Sequence, residues 1–225
     1  MHPFFPTLPN SVAYACVAAE SVDARQLHPL ERELIPPSAS KKYIAAFVAG
    51  RVAAREALGK LGVTDDSPIL RGERGMPLWP SGVRGSLTHK QGLAAALVAR
   101  SEDFAAVGMD LEINAAARHP RFACSICTAS ERRWLEEYRG DRDSMLLSIF
   151  SAKETIFKAL YPICRRYFGF QAAELRWDGS RGVFNGVLLE TLHPQLERGF
   201  SLEIGLHQQS DLLLSHLLLP TPPRL

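Results

Sequence analysis

Apolar and polar positions change their period several times along this chain. From Lys41 the text KKYIAAFVAGRVAAREALGKLG is Ala-rich, with Ala46, Val48, Val52, Ala53 and Leu58 supplying apolar positions, and predicts a long helix. Gly59 and Gly62 are its stop signals. Upstream, residues 1–40 are rich in proline and end in IPPSAS, which predicts an irregular arm and a loop. Downstream, SPILRGERGMPLWPSG is punctuated by Gly and Pro, so turns linking short extended pieces are expected. GSLTHKQG, residues 85–92, reads as a Gly-flanked turn before an apolar segment. GLAAALVAR is either a buried strand or a short helix, because periodicity does not separate the two in so short a run. AVGMDLEIN reads as a strand.

The second half opens with TASERRWLEEYRG, a capping pattern in which Thr128 or Ser130 caps and acidic residues follow. Ser144 to Tyr161 predicts a second long helix, closed by Pro162. GFQAAELRW, GVFNGVLLETL, GFSLEIGLH and DLLLSHLLLP then fit four strands of an antiparallel sheet. Helix followed by strands, twice over, predicts an α+β fold of two similar-sized lobes, residues 1–104 and 105–225, joined near Ser101–Ala106.

Composition narrows the classes. The 225 residues are 46% hydrophobic and 22% charged, ordinary values for a soluble globular protein. A net charge of +2 gives no gross electrostatic case for nucleic acid or a membrane surface, so any anion site must come from local clustering. The opening MHPFFPTLPNSVAYACVAAE lacks the basic start of a signal peptide. No run approaches the roughly 18 apolar residues of a membrane span. Cys124 and Cys127 form a C-x-x-C without a second Cys/His pair at zinc-ligand spacing, so they read as ordinary reduced thiols. A cytoplasmic protein is expected.

Four clusters carry candidate chemistry. Asp110 and Glu112, in GMDLE, share one face of a strand. They are either two exposed acids at an edge or a pair of hard oxygen donors of the kind that suits Mg²⁺. In FSAKETIFKAL, Glu154, Lys158 and Tyr161 lie on one side of a helix, and Ala152, Ile156, Ala159 and Leu160 form its core stripe. Glu154 and Lys158 are then an exposed i,i+4 pair worth a few tenths of a kcal/mol, or they face a cleft where phosphate is handled. Thr88 and His89 sit in the expected turn, where a hydroxyl and backbone N–H groups can hold a phosphate. A basic series, Lys41, Lys42, Arg51, Arg55, Arg71 and Arg74, includes the RGER turn, whose arginines can fork onto phosphate oxygens.

Taken in order, these segments resemble the 4′-phosphopantetheinyl transferase superfamily. Its signature is G-[IV]-D-x-E, followed some forty residues later by [FW]-[SC]-x-K-E-[SAT]-x-x-K-A. GMDLE and FSAKETIFKA match it everywhere except at Met109. KK…FVAGRVAAREAL, ILRGERGMPLWP and GSLTH also resemble family blocks, and the likeness runs over about residues 41–170. It is nearer to the branch of the enterobactin-synthesis and mycobacterial transferases than to the surfactin-synthetase activator.

The resemblance implies two α+β lobes in pseudo-twofold relation with the active site between them, and a monomer that needs neither nucleic acid nor membrane. It implies transfer of the phosphopantetheine arm of coenzyme A to a serine of an apo acyl or peptidyl carrier protein, in fatty acid, polyketide, nonribosomal peptide or siderophore synthesis. Mg²⁺, with Mn²⁺ as a substitute, would be held by Asp110, Glu112 and Glu154. Glu154 would be the base, Glu112 would ligate directly or through water, and Lys158 would neutralise the diphosphate. Lys42, Arg51, Arg71, Gly72, Glu73, Arg74, Thr88, His89, Asp110, Lys158 and Phe168 would contact coenzyme A, with Arg51 near its 3′-phosphate. Tyr43 and Met76 depart from the family, which carries Arg and often a charged residue there. The alternative implied by the same fold is a carrier-binding module without turnover.

Overall fold

A computed structural model of the chain describes residues 8–64, 66–114 and 120–222. The described residues form two compact units: one holds those up to Met109 together with those from Leu219, and the other runs from Asp110 to Leu218. Both mix helix and sheet, so the fold is α+β.

The first unit contains strand β1 (Val12–Ala18), a one-turn helix α1 (Pro29–Arg32), the long helix α2 (Lys41–Lys60), and strands β2 (Val83–Lys90) and β3 (Leu93–Arg100). Strand β4 (Phe104–Ile113) begins in it. The sheet order is β1-β3-β2, antiparallel throughout. GLAAALVAR is thereby resolved as a strand, and a central one, with both faces buried. Its alanines meet a matching surface: Ala49, Ala53, Ala54 and Ala57 of α2 are fully buried in one cluster with Ala94, Ala96 and Val98. Small residues on both sides let the helix lie close to the sheet, and larger Leu58 and Ile69 fill the remaining space.

Two expectations fail in this unit. Residues 12–18 are a strand rather than part of an irregular arm. VAYACVA has no polar alternation to announce a strand; pairing from Val12↔Ala99 to Ala18↔Leu93 makes it one. A strand therefore precedes the helix here, so helix-then-strands does not describe the first half. Thr88 and His89 also lie within β2, opposite Ala95 and Ala94, rather than in a turn. The turn is Gln91–Gly92, and both residues have positive φ, 41° and 84°.

The second unit contains α3 (Pro120–Ile126), α4 (Ala129–Glu137), α5 (Arg142–Cys164), and strands β5 (Ala173–Asp178), β6 (Val183–Leu188), β7 (Ser201–Gln209) and β8 (Leu212–Pro220). The sheet order is β4-β8-β7-β6-β5, and the four expected C-terminal strands form its antiparallel meander. Helix α5 is fixed to the sheet by polar contacts in a dry place. The hydroxyls of Ser151 and Thr155 lie 2.8 and 2.6 Å from that of Ser215 on β8, and all three residues are fully buried.

Pro162 does not close this helix, which continues to Cys164 and ends at Arg165 in the left-handed region, with Arg165 N–H on Tyr161 O at 2.9 Å. A proline in the last turn forfeits one hydrogen bond near an end where carbonyls already lack partners, so the final turn survives it. Thr128, not Ser130, caps α4, with Glu131 completing the capping box.

His207 and His216 stack across β7 and β8, ring centroids 5.0 Å apart. Gly205 lies against the His216 ring, which leaves no room for a side chain there. Burial, reinforced by His207, depresses His216 to about 4. Below the ordinary histidine value of 6.5 the unfolded chain binds a proton that the folded chain refuses. Stability is therefore whole above pH 6.5, declines below it, and stops declining through this group near pH 4. Denaturant titrations are expected to show a loss on the order of 2 kcal/mol between pH 7 and pH 5 that His216→Gln reduces by half or more.

Candidate active site

The acidic strand GMDLE is buried, not an exposed edge. Asp110 and Glu112 are each only 5% exposed although β4 is the outer strand of its sheet. Alternation puts both carboxylates on one face. The residue before them is anchored within the first unit, where Met109 N–H donates to Ser86 Oγ at 3.0 Å.

Helix α5 brings the second half of the constellation. Lys158 Nζ donates to Asp110 Oδ1 at 2.7 Å. Glu154, one turn earlier, is half-buried. Burial raises its pKa, Lys158 opposes that rise, and the charges of Asp110 and Glu112 add to it. The three carboxylates and one ammonium thus share a single electrostatic neighbourhood. Ala152, Ile156, Ala159 and Leu160 are at most 1% exposed and form the expected core stripe.

Lys153 belongs elsewhere. Its ammonium donates to Glu131 Oε2 at 2.7 Å, Ile126 O at 3.0 Å and Phe170 O at 2.9 Å. Glu131 also accepts from the N–H groups of Thr128 and Leu175. This pair ties α4, α5 and β5 together inside the unit, and burial lowers the Lys153 pKa against the opposing pull of Glu131. Beside Glu154 opens a cavity of about 110 Å³ walled by Phe157, Tyr167, Phe168 and Phe170. Phe168 is 7% exposed, with its ring 5.1 Å from that of Phe157.

In the first unit the basic residues separate into groups. Arg51 and Arg71 converge on one ring, their guanidinium carbons 4.6 and 4.9 Å from the centroid of Phe47. Arg71 also lies 5.7 Å over Tyr43, so that tyrosine is a second platform for the same arginine. Tyr43, Phe47, Arg51 and Arg55 follow each other at four-residue steps, a helical stripe legible in the sequence. Gly72, Glu73 and Arg74 lie in a tight loop closed by the Arg71–Pro77 bridge. A side chain at Gly72 would strike Leu78 and Met76, and Met76 thus covers the loop with an apolar group. Lys42 is exposed on α2. Thr88 is buried and His89 exposed, so neighbours read as a pair point to opposite sides of β2.

The donor chemistry fits Mg²⁺: carboxylate oxygens only, with phosphate and water able to complete the shell. Among the described residues no three His, Cys, Asp or Glu side chains form a ready-made metal cluster. No helix among them is long and apolar enough to cross a membrane.

The buried strand acids thus share one electrostatic neighbourhood with a helix-borne Glu and Lys. Residues 30–99 match the 4′-phosphopantetheinyl transferase N-terminal domain, and residues 106–204 match the 4′-phosphopantetheinyl transferase superfamily. The chain is 42% identical over 150 residues to 4′-phosphopantetheinyl transferase Svp of Streptomyces mobaraensis, covering 66% of this chain and 60% of that one. It is 38% identical over 177 residues to transferase Npt of Nocardia iowensis, 75% of this chain and 74% of the other. With PptT of Mycobacterium tuberculosis it shares 33% identity over 187 residues, 80% and 78% of the two chains. The chain belongs to the 4′-phosphopantetheinyl transferase superfamily.

The two lysines of the KETIFK segment should separate experimentally. Lys153→Met strands the Glu131 carboxylate in the interior and is expected to cost about 3–5 kcal/mol in urea unfolding. Lys158→Met leaves buried Asp110 without its partner but removes a lysine that is itself partly exposed, so it should cost less, about 1–3 kcal/mol.

Proposed function

We infer that the chain is a 4′-phosphopantetheinyl transferase that moves the arm of coenzyme A onto a serine of an apo carrier protein. The observation that supports this most is the Lys158–Asp110 contact of 2.7 Å within the field of Glu154, together with the matches to both family domains. The serine Oγ would bond to the pantetheine-bearing phosphorus. The bond from that phosphorus to the bridging oxygen would break, and adenosine 3′,5′-bisphosphate would leave with the electron pair. Such a displacement needs in-line placement and neutralised charge more than covalent help from protein.

Each residue then has a role. Glu154 receives the serine proton as general base. Lys158 supplies positive charge to the diphosphate, exchanging its contact with Asp110 for one with phosphate. Asp110, Glu112 and Glu154 would hold Mg²⁺, or Mn²⁺ in its place, which when bound neutralises the diphosphate. The aromatic wall containing Phe168 offers apolar surface beside Glu154. Arg51, Arg71 and the loop through Gly72, Glu73 and Arg74 meet the nucleotide end, with Lys42, Thr88 and His89 as further phosphate contacts. The lobe division near residue 105, a monomeric state and a cytoplasmic setting complete this reading.

The test is incubation with coenzyme A, Mg²⁺ and purified apo carriers of several types, followed by mass spectrometry. A mass gain of one phosphopantetheine on carrier is expected; no gain on any carrier would favour the module without turnover. Glu154→Gln should abolish the gain with an unchanged melting temperature. Lys158→Ala should raise KM for coenzyme A about tenfold, and unchanged kinetics would remove it from phosphate binding.

A further inference from the structure

Glu31 is a carboxylate with no exposed surface, set in α1 and outside every motif singled out above. It accepts two hydrogen bonds from Arg55 Nη1, 3.1 and 2.8 Å. It also accepts from His28 N–H at 3.1 Å and from Ile69 N–H at 3.0 Å. Its Oε1 lies 4.0 Å from Arg51 Nε. One side chain therefore joins three segments: the turn that starts α1, the middle of α2, and the extended piece that leads, two residues later, to Arg71.

Of the two arginines that share the Phe47 ring, Glu31 faces Arg51 directly at 4.0 Å and reaches Arg71 only through the backbone two residues before it, at Ile69. Arg51 is 5% exposed, and its Nε has no hydrogen-bond partner among the described residues. Burial brings Arg51 down to about 10, with Glu31 resisting and Arg71 and Arg55 assisting. Arg51 stays charged at neutral pH, stacked on Phe47 and held near Arg71 against mutual repulsion. Two guanidinium groups gathered on one ring, one of them with a buried and unpartnered Nε, concentrate positive charge of the kind an anion offsets. Glu31 is too deep to meet that anion, and it orients the groups that do.

We propose that Glu31 is a positioning residue for coenzyme A, setting Arg51 and the root of the Arg71 loop to receive the 3′-phosphate. This rests on the reading that Arg51 meets that phosphate. Removing a negative charge next to Arg51 would by itself strengthen anion binding, whereas loss of positioning weakens it; the proposal requires that positioning dominate.

The experiment measures kcat and KM of the full-length enzyme with coenzyme A and with 3′-dephospho-coenzyme A, for Glu31→Gln, Arg51→Ala and the double variant. Glu31→Gln is expected to raise KM for coenzyme A about tenfold with kcat within about twofold. KM for the dephospho donor should stay near wild type, and the double variant should be no worse than Arg51→Ala. Equal losses on both donors, a fall in kcat alone, or tighter coenzyme A binding would overturn the proposal. If Glu31→Gln does not fold by circular dichroism, Glu31→Asp, which keeps the charge and draws it back by one methylene, is read by the same donor comparison. Should Arg51→Ala retain the full preference for the 3′-phosphate, the assignment of Arg51 and the proposal built on it both fail; a lost preference in Arg51→Ala with an unchanged Glu31→Gln overturns the proposal alone.

Discussion

Two carboxylates buried on one face of a strand repel each other, and each loses hydration, so the fold tolerates Asp110 and Glu112 only where positive charge is at hand. Helix α5 supplies it through Lys158, and its hydroxyl contacts with Ser215 hold that helix to the sheet. The same arrangement leaves Glu154 half-buried among like charges with a raised pKa. A cation bound by these acids would relieve the repulsion while a diphosphate drew Lys158 away. The electrostatic tension of the resting site is thus of the kind that its substrates would relax.

Within one helical turn and a half the chain assigns its charges to different tasks. Lys153 is consumed by structure, satisfying Glu131 and two carbonyls in the interior of the second unit. Lys158 is partly exposed and pairs with Asp110. The first unit repeats this separation with arginines: Arg55 satisfies Glu31, while Arg51 and Arg71 lie on aromatic rings. In both units a buried acid, Glu131 or Glu31, is satisfied by one cation and by backbone N–H groups of separate segments.

Much of this was legible in the sequence because periodicity was strong. Helices α2 and α5 and the C-terminal meander follow from their apolar spacing, and the acids on β4 follow from alternation. What escaped depended on partners remote in sequence. Strand β1 has no pattern of its own and exists through pairing with β3. GSLTHKQG carries enough turn residues to hide a strand whose turn lies at its far end. Lys153 and Lys158 look alike in the text, and only the position of Glu131 separates them. Glu31 gave no signal because a buried acid is recognised by the donors around it. The four-residue stripe Tyr43, Phe47, Arg51, Arg55 is present in the text but went unread, and it points to only one of the two stacked arginines, since Arg71 comes from a separate loop.

The central claim is that acids from strand β4 and helix α5 act on one divalent ion. Electron paramagnetic resonance titration of the full-length chain with Mn²⁺, in the presence of coenzyme A, tests it without relying on turnover. The account predicts a single bound ion per chain whose affinity falls by tenfold or more in Asp110→Asn and in Glu154→Gln alike. Undiminished binding in either variant would mean that the strand and the helix do not serve the same ion.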